Sequence, residues 1–191
     1  VFLNYYGPGQ ISINLKSGNN LNLVQETDYP RDGCINLTVS PRFPEEFALY
    51  LRIPEWSKET KIKVNGCELS SQPGTYLKIN REWKQGDQVE IEFDMSPRYI
   101  VGECECEGKI SIFRGPILLT FDPAYNTMDF DNPPVINKDD ISLETAGWNR
   151  FLKPWLLFET KAADGTPVKL CDFASAGWGG TNYRTWLSYE K

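Results

Sequence analysis

Apolar residues recur at every second position through the first two-thirds of the chain. In ISINL, Ile11, Ile13 and Leu15 share a face; in CINLTV, Ile35, Leu37 and Val39 do. FALYLRI presents Phe47, Leu49, Leu51 and Ile53, and DQVEIEFDM sets Val89, Ile91, Phe93 and Met95 against Gln88, Glu90, Glu92 and Asp94. Successive side chains on a strand point to opposite faces, so each segment reads as a half-buried strand. No window of helical length keeps an i, i+3, i+4, i+7 apolar pattern. Glycine, proline and asparagine fall between the strands, in YGPGQ, KSGNN, SQPGT and KQGDQ. Many short strands at this spacing predict an all-β chain.

Local signals refine the picture. Asn65-Gly66 in VNGCEL favours a type I′ hairpin turn. INREWKQGDQVEIEF reads as a strand, a tight polar turn and a return strand, and GKISIFRGPILLTF passes from alternation into a run buried on both faces. Residues 122 to 140, rich in Pro, Asn and Asp, read as a long loop, after which ISLE, WLLFET, VKLCDF and YRTWLSY resume the strands. A boundary near residue 105 divides the chain into two stacked antiparallel β-sandwich domains of jelly-roll type, 1–105 and 106–191.

Composition excludes several chemistries. A net charge of −6 with scattered Lys and Arg argues against nucleic acid as a partner. No apolar run approaches the ~18 residues that span a bilayer, so a membrane partner is not expected. The chain opens VFLNYY, without an initiator Met, a basic n-region or a cleavage site, and reads as part of a longer polypeptide. Histidine is absent, which removes Ser-His-Asp and Cys-His catalysis and His-ligated metals. The five cysteines, at 34, 67, 104, 106 and 171, are odd in number and irregularly spaced, unlike a secreted disulfide framework.

Six segments occur in an order that resembles glycoside hydrolase family 127, the β-L-arabinofuranosidases. They are VFLNYYGP, QETDYPRDGCINLTVS, FALYLRIPEWS, KVNG, YLKINREWKQGDQVEIEFDM and GKISIFRGPILL, and the tail VKLCDFASAGWGGTNYRTWL is also similar to how some members end. The resemblance covers most of residues 1 to 120. It implies that the matched part is the β-sandwich region following an (α/α)6 catalytic barrel. That barrel carries a cysteine nucleophile, a zinc held by further cysteines and a glutamate, and a glutamate acid/base. None of those motifs stands in this sequence, so no catalytic residue, metal ligand or cofactor is assigned to it.

Three clusters carry side chains suited to chemistry of their own. ETDYPRDG brings Glu26, Asp28 and Asp32 together, as a general acid/base group would need. Its Tyr29-Pro30 and Asp32-Gly33 equally serve a corner between strands, by fixed φ, an Asx bond and a position at φ > 0, and this is the preferred reading. In GECECEG, Cys104 and Cys106 would share one side of an extended segment, two ligands where zinc takes four. They read as free thiols. Aromatics crowd the last 45 residues, and Trp178, Tyr183, Trp186 and Trp148, with Asp172, are the candidates for contact with carbohydrate. Core packing is the competing role for those rings; Trp56 and Trp83 read as packing at strand ends.

The expected function is that of a non-catalytic accessory region of a bacterial glycoside hydrolase. Its partners would be the helical barrel of the same polypeptide and plant-type oligosaccharides, in the bacterial periplasm or cytoplasm, the periplasm slightly favoured. A carbohydrate-binding module acting through the C-terminal aromatics and an immunoglobulin-like interaction domain are the alternatives.

Overall fold

Residues 1–147 and 153–190 are described by a computed structural model, and their regular structure is strand with three short 3-10 turns. No helix among them is long and apolar enough to cross a membrane. The chain divides into two compact units, Val1–Met95 and Ser96 onward, ahead of the position near 105 read from composition.

The first unit contains β1 (Phe2–Leu3), β2 (Gly9–Asn14), β3 (Asn20–Thr27), β4 (Cys34–Pro41), β5 (Glu45–Arg52), β6 (Lys61–Val64), β7 (Cys67–Leu69), β8 (Tyr76–Trp83) and β9 (Asp87–Glu92). They form a three-stranded sheet, β1-β5-β8, and a six-stranded sheet, β2-β3-β4-β9-β6-β7. Leu49, Leu51, Ile79 and Trp83 from the small sheet meet Leu21, Leu23, Ile35, Leu37, Val39, Val89 and Ile91 from the large one in a single buried cluster. These are the residues that alternation assigns to one face, so the pattern converts directly into a sandwich. Trp83 is fully buried, and its indole N–H donates to the Phe47 carbonyl at 3.1 Å, which satisfies the polar end of the ring. Trp56 stands edge-on to Phe93, 5.6 Å between centroids.

Four local readings change in this unit. Strand β2 alternates as expected but lies at the edge of its sheet, and Ile11 is exposed rather than half-buried. β8 and β9 do not pair: β8 runs against β5, whereas β9 inserts between β4 and β6 in the other sheet. The KQGD turn is therefore a passage from one sheet to the other. Gly33 does not adopt positive φ. A Cβ there would lie 2.3 Å from the Phe93 carbonyl oxygen, so close approach requires the glycine. Finally, β1 runs parallel to β5, a departure from a wholly antiparallel arrangement.

ETDYPRDG joins the paired strands β3 and β4. The Thr27 hydroxyl donates to the Cys34 carbonyl at 2.5 Å and accepts from the Tyr29 amide at 2.9 Å, and Asp32 Oδ1 accepts from the Cys34 amide at 3.0 Å. The Tyr29-Pro30 peptide is cis. Thr27 and Asp32 thus close the corner upon itself. At the β6–β7 hairpin Asn65 and Gly66 have φ of 49° and 81°, the I′ conformation that the dipeptide predicts.

The second unit contains β10 (Pro97–Val101), β11 (Lys109–Arg114), β12 (Ile117–Phe121), β13 (Ile136–Asn137), β14 (Glu144–Thr145), β15 (Leu157–Lys161), β16 (Pro167–Asp172) and β17 (Leu187–Glu190). Its sheet runs β13-β17-β11-β12-β16-β15-β14, with β10 paired to β11. The sheet closes on itself: Ile136 bridges Ala162, just past β15, and the Ala163 amide donates to the Val135 carbonyl at 2.8 Å. Closure pairs the β13 end of the sheet, while β10 and β14, each paired to one strand, keep an edge. β13 lies inside the segment read as a long loop, and it pairs with β17 in parallel. Cys104 and Cys106 sit in a 3-10 turn, with Cys104 at φ 53°, and not on an extended segment.

Alternation again decides which way side chains face. Leu119, Phe121, Phe158, Val168 and Leu170 enter the main core of the ring. Leu157 and Cys171, paired in register, face the other way and form a small second cluster with Tyr125.

Candidate functional site

That second cluster is roofed by the loop between β16 and β17. Its sequence, FASAGWGGTNY, carries no charge from Phe173 to Tyr183. A loop so rich in glycine pays a large entropy to hold one shape, and two buried carboxylates supply the restraint. Asp122, at the end of β12, accepts from the Ala124 amide at 2.8 Å and the Thr181 hydroxyl at 2.7 Å through Oδ1, and from the Gly177 amide at 2.8 Å through Oδ2. Asp172 accepts from the Ser175 amide at 3.0 Å through Oδ1, and from the Ser175 hydroxyl at 2.7 Å and the Leu156 amide at 2.8 Å through Oδ2. Charge-assisted bonds of this kind are the strong ones. Beneath them, burial first and the two carboxylates second push the Cys171 thiol up to about 12. Tyr125 is also raised to about 12, by burial and then by Cys171, Asp122 and Asp172.

The loop carries its aromatics outward. Trp178 is 70% exposed at the tip, where Gly177 and Gly180, at φ of 72° and 83°, turn the chain. Tyr183 lies so close to Gly177 that a Cβ there would meet its ring at 2.8 Å. The rings of Phe173 and Tyr183 are T-shaped at 5.9 Å. Trp155 is held beside the loop by its amide, which donates to the Ser175 hydroxyl at 2.9 Å. Phe173 and Trp155 are both exposed.

Of the residues singled out in the sequence, Trp178 and Tyr183 belong to this surface. Asp172 lies under it, buried, with both oxygens engaged in holding the loop. Trp186 is half-buried just ahead of β17, and Leu187, the first residue of that strand, is buried. Trp148 lies outside the described residues. Asp122 and Phe173 were missed. The Asp-Pro step at 122 to 123 marks a turn, but its partner loop is distant in sequence, and no local signal points to it.

A second aromatic surface lies on the first unit. On the outward face of β1-β5-β8, Phe2 stacks on Tyr50 with centroids 4.2 Å apart and meets Tyr76 edge-on at 5.6 Å. The Tyr76 hydroxyl donates to Asn4 Oδ1 at 2.8 Å. Phe2 is 60% exposed and Tyr5, close in the chain, 79%. Among the described residues no three or more of Cys, Asp and Glu converge as a metal site would need.

Residues 1–95, the first unit, match the family model for the β-L-arabinofuranosidase GH127 middle domain. No curated protein sequence matches. Among solved structures, one described as a glycoside hydrolase superposes with a TM-score of 0.86 at 27% identity, covering 100% of this chain and 36% of its own. A GH127 β-L-arabinofuranosidase from Geobacillus stearothermophilus T6 gives 0.83 at 24% identity, over 99% of this chain and 33% of its own. A GH127 β-arabinofuranosidase gives 0.81 at 23% identity, over 99% and 34%. The last two, at their low identity, speak for the fold alone. The chain thus spans about a third of the length of these structures. Residues 1–95 belong to glycoside hydrolase family 127 as its middle domain, and the chain as a whole has the fold of a β region of such enzymes.

Proposed function

We propose that this chain is a non-catalytic accessory region of a glycoside hydrolase that releases β-L-arabinofuranose from plant-type glycans. In this role it stabilises a helical catalytic barrel of the same polypeptide and needs no cofactor of its own. The observation that carries the reading is the outward face of β1-β5-β8. An exposed sheet face is ordinarily polar, yet this one stacks Phe2, Tyr50 and Tyr76, with Phe2 60% exposed. A contiguous aromatic patch of this kind marks a surface that another body covers. The chemistry agrees: without histidine, the chain has no base to activate a nucleophile in the familiar triads.

The test is association in trans. The chain is mixed with the helical barrel of a family 127 enzyme, and co-elution and the melting temperature of the barrel are followed. Co-elution and a higher melting temperature are expected, and both are lost in the variant carrying Phe2→Ser and Tyr76→Ser. A barrel indifferent to the wild-type chain, or arabinofuranosidase activity in the chain alone, overturns the proposal.

A further inference from the structure

We propose that the Phe173–Tyr183 loop, with Trp155 beside it, is a contact site for a neutral saccharide. Four aromatic side chains, Trp155, Phe173, Trp178 and Tyr183, are exposed on this loop and on the segment bonded to it at Ser175. The apolar C–H faces of a sugar ring stack on such rings, and the gain survives only where the rings are already in place. Here they are in place. Asp122 and Asp172 direct every acceptor described for their side chains inward, to Gly177, Thr181, Ala124, Ser175 and Leu156. A connection between β16 and β17 needs no such restraint merely to join two strands. The restraint fixes the tip that presents Trp178.

The occupant follows from composition. The loop has no charged residue, in a chain that is 24% charged, so a uronic acid or a sugar phosphate finds no counter-ion on it. Between the rings stand glycines, Asn182 and Thr181, without the Met and Arg that accompany aromatics at protein interfaces. Trp178 contributes an indole N–H, Tyr183 a hydroxyl and exposed Asn182 an amide, the donors and acceptors that sugar hydroxyls require. A neutral glycan ring is therefore the ligand that fits both the apolar faces and their rim. The inference rests on the glycoside hydrolase reading only for the source of the glycan.

Titration of the whole chain with neutral arabino-, galacto- and xylo-oligosaccharides, followed by tryptophan fluorescence and calorimetry, is the test. Saturable binding to at least one of them is expected. Trp178→Ala weakens it roughly tenfold or more, with the unfolding midpoint unchanged, because the side chain is exposed. Tyr183→Ala gives a second, independent loss. Absence of saturable binding across the panel, or binding indifferent to Trp178→Ala and Tyr183→Ala, overturns the proposal. Association with the barrel reads none of these outcomes, so failure here is separate from failure of the accessory role.

Discussion

The Asp122 carboxylate accepts a 2.8 Å hydrogen bond from the Gly177 amide across 55 residues of sequence. It ties the end of a core strand to the tip of an exposed loop, and through it the shape of the aromatic surface depends on a side chain that never reaches that surface.

Asp122→Asn therefore destabilises the second unit although it preserves size. Both oxygens accept, so an amide must set its NH2 against a donor, at the Thr181 hydroxyl and Ala124 amide or at the Gly177 amide. The expected cost is about 2 kcal/mol, the range for a buried charged acceptor replaced by a mismatched group. Urea unfolding of the second unit measures it, and a change within roughly 0.5 kcal/mol of wild type would remove the role assigned to Asp122.

Gly33→Ala tests the close approach in the first unit. The new Cβ meets the Phe93 carbonyl oxygen at 2.3 Å, and the Phe93 amide already donates to the Gly33 carbonyl at 3.0 Å. Backbone, not a flexible side chain, has to yield. A loss of about 2–4 kcal/mol is expected, as for other severe overpacking. Gly9→Ala, with open space around it, serves as the control and should be near neutral.

Trp83→Ala removes the largest fully buried side chain and orphans the Phe47 carbonyl bond. The expected loss is about 3–5 kcal/mol, from the cavity and the lost transfer energy together. Trp83→Phe keeps most of the volume and loses less, and the difference between the two variants separates packing from the hydrogen bond.

Alkaline pH acts on the second unit through Cys171 and Tyr125. Burial holds both groups neutral, raising them from ordinary values of 9.0 and 10.0 to about 12. In the unfolded chain they ionise near the ordinary values, so from pH 9 upward the unfolded state binds fewer protons than the folded one. Stability is then fully present below about pH 9 and declines as pH rises toward 12. Cys171→Ser should flatten that decline, read as urea midpoints between pH 8 and 11. In native protein a thiol reagent at pH 8 should modify exposed Cys67 and Cys104 and leave Cys171 untouched until unfolding.

The strands and their faces were legible because they depend on neighbours two residues apart. Ile35, Leu37 and Val39 must share a side wherever the strand goes, and Asn65-Gly66 carries its turn in its own backbone preferences. The sequence by itself thus determined an all-β chain, the core-facing side of its inner strands, and the corner in ETDYPRDG, but not that Ile11 stays exposed on an edge strand. It did not determine that β9 leaves β8 for the other sheet, since the pairing of β9 with β4 and β6 depends on edges built by distant segments. Nor did it show that Gly33 is needed for space rather than for φ, or that Asp122 holds the Trp178 loop. The tertiary structure alone decided these, because a hydrogen bond across 55 residues or a contact at 2.3 Å leaves no periodic trace in the residues that make it.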